Sequence, residues 1–327
     1  MTPGSPVHTI CLLTVVALAA FASPSLHSQS NETSPQVELQ VKYYGSASPY
    51  LNDSIRDLRK AVPSLDGLKP AKDPQPLADI LSKTSANLDR LLDRLPDLVA
   101  EEAVTQTQWQ DEQQAVAKCM GMSGCLDPVP SLRTNEKFSY IILPHRASEH
   151  HVRLEEYRTT LNDEPVKPGD EPHFQGFASF WIIFSSSNLA EAHFRFLGQQ
   201  KRDGHAAYVV AFAQIPGSVN YNPRIVTRAG SVPMLLQGIA WIDRTNFQLV
   251  RLHTNLLAPQ PEIAYKTQTS SIKFGRARIP ALALDLWLPE DVRVETEVQG
   301  QLWQEHHRYS SFRLYQAKSK IILSPPS

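Results

Sequence analysis

Residues 238–257 read GIAWIDRTNFQLVRLHTNLL. Two apolar runs flank a short polar stretch, which predicts a strand, a four-residue turn and a longer strand. Strand side chains alternate between faces. Ile239 and Trp241 therefore share one face, and Ala240 and Ile242 share the other. Asp243 stands where a turn begins, and an Asp there accepts hydrogen bonds from backbone N–H groups two residues on. That is sufficient reason for its presence. Arg251 on the return strand is placed to pair with Asp243 or a neighbour. Trp241 reads first as a core aromatic, with ligand lining as the alternative.

The same pattern extends in both directions. RDGH (202–205) joins AHFRFLGQQ to AAYVVAFAQ and carries Asp-Gly at the turn, the two-residue hairpin signal. Downstream, TQTSSIKFG, ALALDLWLP, DVRVETEVQG and QLWQEHHRYSSFRLY read as successive strands. Val292, Val294, Thr296 and Val298 alternate with Arg293, Glu295 and Glu297, so one face is buried and one solvated. Gly300 marks a tight hairpin. In ALALDLWLP, Leu282, Leu284, Leu286 and Leu288 fill one face while Trp287 puts bulk on the other, so both faces are covered. Upstream, 98–109 places Val99, Glu101, Ala103 and Thr105 on one side, and 137–143 and 151–161 add two β-type runs. Residues 174–200 read as a short helix or strand, a Ser/Asn turn and a strand from 192.

Helical spacing appears only near the start. Leu51, Ile55, Leu58 and Val62 share one face before Pro63. Leu77, Ile80, Leu81, Thr84, Leu88, Leu91, Leu92 and Leu95 form one stripe between Pro76 and Pro96, with Lys83, Asn87, Arg90 and Asp93 opposite. Such a stripe covers an apolar surface. Strands with short connections and no βαβ alternation predict an α+β fold. The expected architecture is a curved antiparallel sheet, an unclosed half-barrel, with the N-terminal helices packed on its concave face.

The chain has 327 residues, 42% of them hydrophobic, and a formal net charge of −1. Near-neutral, interspersed charge gives no field that favours nucleic acid. Glycine is sparse at 14 and proline frequent at 25. The run ICLLTVVALAA (10–20) is too short to span a bilayer, which takes roughly 20 residues. Ala20 and Ala22 follow in the small-residue pattern of a cleavage site, although Met1–Thr9 holds no Lys or Arg. The expectation is an export signal over 1–22 and a periplasmic or secreted product. Cys11 lies inside that signal without a lipoprotein-type context. A flexible leader and short helix follow over 23–75, then one domain over 76–322 with a loop insertion at 110–135. NETS at Asn31 matches a glycosylation sequon, as chance also allows. In an oxidising compartment Cys119 and Cys125 of CMGMSGC are expected to pair across their small loop. The alternatives lack a second ligand pair for zinc or a C-x-x-C for redox chemistry.

Catalytic patterns are sparse. There is no G-x-S-x-G elbow, Walker loop or H-E-x-x-H, and no cofactor motif. His150 and His151 precede Glu155, but on a strand His151 and Glu155 stand about 13 Å apart, too far for one metal. His306 and His307 are adjacent and face opposite sides. Glu101 and Glu102 start a strand without a marked partner. Asp285 in an apolar strand could be a perturbed acid, or it could be exposed or paired, with Arg293 for example.

The blocks LGQQKRDGHAAYVVAFAQIPG and QGIAWIDRTNFQLVR resemble the periplasmic lipoprotein-carrier superfamily, the LolA, LolB and RseB types. The carrying residues are Gly198, Asp203, Gly204, Pro216, Trp241, Ile242, Asp243 and Arg251, over roughly 190–315. LWLPEDVRVE adds to the likeness, and the chain looks closer still to secreted proteins of Acidobacteria with the same WLP arrangement. The long N-terminal region and CMGMSGC depart from the compact carriers. The resemblance implies helices as a lid over an apolar cavity for acyl chains, and no enzyme. In such a cavity Trp241, Phe212, Leu286 and Trp287 from strands and Leu88 and Leu92 from the helix would line the ligand. A lipid, lipoprotein or other hydrophobic ligand is the expected partner, with an envelope protein or peripheral membrane contact also open. Two other readings stand: an envelope interaction protein with a filled core, and a hydrolase that brings His151, Glu155 and Asp285 together.

Overall fold

The computed structural model describes residues 35–73, 76–109, 130–148, 151–166, 177–220, 224–227, 230–279 and 284–316. The expected export signal, Cys119 and Cys125 lie outside the described residues. The described residues hold three α-helices: α1 (Pro35–Tyr44), α2 (Ile55–Ala61) and α3 (Leu77–Arg94). No helix among the described residues is long and apolar enough to cross a membrane.

The strands are β1 (Lys69–Pro70), β2 (Leu98–Trp109), β3 (Leu132–Ser148), β4 (His151–Thr159), β5 (Ala192–Arg202), β6 (His205–Gln214), β7 (Arg224–Thr227), β8 (Gly230–Pro233), β9 (Leu236–Asp243), β10 (Leu249–Leu256), β11 (Tyr265–Ile279), β12 (Leu284–Val298) and β13 (Gln301–Leu314). Eleven of them form one sheet in the order β1-β5-β6-β9-β10-β11-β12-β13-β2-β3-β4, and β7 and β8 form a separate pair. Every pairing in the large sheet is antiparallel. Its ends, β1 and β4, do not meet, so the sheet is an unclosed half-barrel.

Turn chemistry sets the register as the sequence predicts. Asp203 and Gly204 take φ of 49° and 86°, and Gln299 and Gly300 take 53° and 73°, the paired left-handed geometry of tight hairpins. Gly198 has a different reason. Its φ is 138°, it sits at a bulge, and a Cβ there would lie 2.1 Å from the carbonyl oxygen of Lys69. The β1 backbone crosses β5 at this point, and only glycine leaves room.

The sheet is packed on both faces. The inner face holds the larger core, with Leu98, Tyr140, Phe212, Ala240, Ile242, Leu252, Ile272, Leu286, Leu288, Val292 and Val294 under α1, α3 and the 3-10 segment Phe177–Phe184. The outer face of β5, β6, β9 and β10 meets α2 and the turn after it through Leu58, Val62, Leu65, Leu68, Val209, Ile239 and Trp241. The helices are thus split between faces, with α1 and α3 on the inner one and α2 on the outer one. Alternation explains the split. β6 and β9 are apolar on both faces and need two covers.

The stretch read as a flexible leader is ordered from Pro35 onward as α1. Polar side chains hold it. Gln40 donates to the Val219 carbonyl at 2.7 Å and accepts from the Gly217 N–H at 2.8 Å, and the Tyr44 hydroxyl donates to the Pro233 carbonyl at 2.8 Å.

Candidate functional site

A cleft opens at one end of the half-barrel, under the C-terminal half of α3. β10 begins at Leu249, and its pairing with β11 stops at Arg251–Lys273, while β11 and β12 stay paired as far as Ile279–Leu284. This overhang leaves a notch, roofed by α3 and walled by the β9–β10 turn. The cavity measures about 530 Å³ and is lined by Leu91, Leu286 and Trp287 with Arg90, Arg94, Arg276 and Asp285. Asn87, Asn246 and Gln248 complete the wall. The volume is within the range of small-molecule pockets, roughly 300–1,000 Å³.

Local chemistry fixes the walls. Asn87 donates to the carbonyl of Asn246 at 2.5 Å and joins α3 to the turn. That turn is built by Asp243. Its Oδ1 accepts from the N–H groups of Thr245 at 2.7 Å and Asn246 at 3.0 Å, and its other oxygen meets His205 Nδ1 at 2.7 Å. Burial works against the Asp243 carboxylate, but these bonds outweigh it and lower its pKa. Asp243 is therefore a turn former. Arg251 pairs with Asp203, at 2.7 and 3.0 Å, and not with Asp243.

The predicted lining residues separate. Leu286 and Trp287 reach the cleft, where the Trp287 indole donates to the Leu249 carbonyl. Leu88, Leu92 and Phe212 are buried in the inner core, together with Phe180, Trp181 and Phe184. Trp241 lies on the opposite face. Its indole N–H donates to Gln200 at 2.8 Å, and Gln200 in turn donates to the carbonyls of Ser64 and Asp66 at 2.9 and 2.6 Å. Trp241 thus anchors the outer cover.

A second polar feature lies inside the sheet, away from the cleft. Glu102, fully buried on β2, accepts Arg158 Nε and Nη2 at 2.5 and 2.8 Å, His307 Nδ1 at 2.9 Å and the Tyr309 hydroxyl at 2.9 Å. His307 Nε2 meets Glu305 at 3.0 Å, and Gln106 donates to Glu305 at 2.7 Å. The Tyr140 ring lies tilted against Tyr309 at 4.9 Å between centroids, and its hydroxyl donates to Glu156. A carboxyl oxygen at each ring nitrogen favours the charged form of His307. Burial opposes that charge, but bonds to Glu102 and Glu305 outweigh it and raise the pKa. Burial likewise pushes Glu102 up, yet Arg158 and His307 pull it down to about 2. Glu102, Arg158, Glu305, His307, Tyr140 and Tyr309 are buried, and Glu156 is half-buried. Two carboxylates, Glu102 and Glu305, face Arg158 and His307, and the cluster reads as a structural network.

The hydrolytic arrangement does not form. Glu155 meets His145 at 2.8 Å on β4, while Asp285 pairs with Arg276 on β12. Those strands are four apart in the sheet, about 19 Å along it. His306 meets Asp291 at 2.7 Å on the outer side. Among the described residues, no group of three or more His, Cys, Asp and Glu is arranged to hold a metal ion. In the sequence Glu102 stands far from His307, and Arg90 far from Asp285. Nothing local in sequence links them, because 205 residues separate Glu102 from His307.

No protein-family model matches the chain, and no curated protein matches it. Among solved structures, it is similar to a DUF1329 family protein from Desulfovibrio piger, at 11% identity and a TM-score of 0.36, over 75% of this chain and 95% of that one. It is also similar to a domain named for outer membrane lipoprotein sorting from Vibrio parahaemolyticus, at 11% identity and a TM-score of 0.36, over 73% of this chain and 94% of that one.

Proposed function

We propose that this is an exported, non-enzymatic binding protein that holds an acyl chain or another hydrophobic ligand at the end of its half-barrel. The observation that carries the reading is the cleft: an apolar floor of Leu91, Leu286 and Trp287, open to solvent beneath an amphipathic helix. A solvated notch with an apolar floor is stabilised when apolar surface enters it, by roughly 25 cal/mol per Å² removed from water. The polar groups around it carry no nucleophile–base pair, so the reading is of binding and not turnover.

N-phenyl-1-naphthylamine, a fluorescent apolar probe, tests this on the delipidated protein. The expected result is saturable enhancement that decanol displaces and that Trp287→Ala weakens. Delipidated protein that neither binds the probe nor carries acyl material in native mass spectrometry would overturn the reading.

A second reading has its own support. Phe180, Trp181, Ile183 and Phe184 fill the inner face beneath α3, which favours an envelope interaction protein with a solid core. A partner retained from envelope extract by protein that binds no acyl probe would favour it.

A further inference from the structure

We infer that the cleft takes an anionic amphiphile, a carboxylate or phosphate head on an alkyl chain, with Arg90, Arg94 and Arg276 at the head and Leu91, Leu286 and Trp287 along the chain. This inference rests on the acyl-binding reading and gives it a head group. Three arginines against one aspartate line the cavity. Arginines near a helix C-terminus commonly serve the helix, whose last carbonyls attract cations. Here that role is already filled. Arg146 on β3 donates to the carbonyls of Leu92, Asp93 and Leu95 at 3.2, 3.1 and 2.9 Å. Arg94 makes no ion pair among the described residues. Arg90 lies along its own helix, with Nε donating to the Ala86 carbonyl at 3.2 Å. Arg276 pairs with Asp285, but its side chain stays 70% exposed, so the pair is open to exchange with another anion.

Arginine matches the planar geometry of a carboxylate or phosphate with two parallel bonds. The side-chain amides of Asn246 and Gln248 line the same wall and suit the remaining lone pairs, while Asn87 is held between Arg90 and the Asn246 carbonyl. A purely apolar ligand would leave this cationic rim unused, and a simple anion would leave the Leu-Trp floor wet. The chemistry that satisfies both is amphiphilic. Asp285 is then the resident carboxylate that a ligand head displaces from Arg276.

Calorimetric titration of the full chain at low salt tests this with decanoate, decan-1-ol and inorganic phosphate. The proteins are wild type, Arg94→Gln/Arg276→Gln and Asp285→Asn. Decanoate is expected to bind at least about tenfold tighter than decanol, the scale of one charge-assisted hydrogen bond. The double arginine variant should lose that advantage and bind decanoate and decanol alike, and Asp285→Asn should tighten decanoate about threefold. Equal affinity for decanoate and decanol would overturn the anionic head while leaving the acyl reading intact. Phosphate that binds as tightly as decanoate would overturn the amphiphile in favour of a free anion. Absence of binding by both decyl compounds would overturn the inference and the acyl reading together.

Discussion

Replacing Glu102 by Gln should cost about 3 kcal/mol of stability at neutral pH, and the cost should shrink in acid. The side chain keeps its shape, but Arg158 and His307 then face a neutral amide inside the core. Breaking a buried ion pair on one side typically costs about 3–5 kcal/mol. The pKa gives an independent figure. Glu102 falls from an ordinary 4.5 to about 2, which at 1.36 kcal/mol per unit corresponds to about 3 kcal/mol. The sign follows from linkage. A carboxyl with a depressed native pKa contributes fully above its unfolded value and loses that contribution as pH falls toward the native one. The wild-type advantage should therefore be about 3 kcal/mol at pH 7 and about 1 kcal/mol at pH 3. Urea denaturation of both proteins at the two pH values measures it. A difference below about 1 kcal/mol at pH 7, or one of equal size at both pH values, would refute the charge-balance account.

Other outcomes follow from the same contacts. His307 has a raised pKa, so its contribution is complete below its unfolded value of 6.5 and fades as pH rises through the native one; thermal melts across pH 6 to 9 should show a fall that His307→Gln lacks. At Gly238 a Cβ would lie 1.9 Å from the His253 carbonyl oxygen and 2.9 Å from the Phe212 ring, so Gly238→Ala should destabilise by about 2 kcal/mol or more, read as a lowered urea midpoint. Arg146→Met removes the bonds to the last carbonyls of α3 and should cost about 1–3 kcal/mol, with hydrogen exchange rising in residues 88–95 and not in β9.

The elements whose side chains meet within a hairpin were legible from sequence. Alternation in β9 and β12 and the Asp-Gly turn place strands, faces and corners without tertiary information. The α3 stripe predicted a covering helix for the same reason. What sequence could not show was the second cover. Trp241 was a candidate for the ligand side, and its face was assigned correctly relative to Ile239. Which face carried the larger core depended on α2 and on Gln200 bonding across 136 residues. α1 escaped because its anchors, Gln40 and Tyr44, work by hydrogen bonds that hydropathy does not register. The cleft was half visible. Leu286 and Trp287 stood out as a two-faced strand, but Arg94, Arg276, Asn246 and Gln248 come from three segments that only the overhang of β11 and β12 brings together. The buried cluster was invisible because Glu102 and His307 sit on strands far apart in sequence.

The pairing of β13 with β2 bears on the order in which the chain can assemble. β2, β3 and β4 are contiguous in sequence, yet they join the rest of the sheet only through β13. His307 stands opposite Val104, and Tyr309 opposite Glu102. Until β13 has formed, β2–β4 is a three-stranded fragment whose Glu102–Arg158 pair lacks His307, Glu305 and Tyr309. Contacts of such long sequence separation are slow to form. β13 therefore acts as the clasp of the molecule: it joins the two parts of the sheet and completes the buried charge balance in one step.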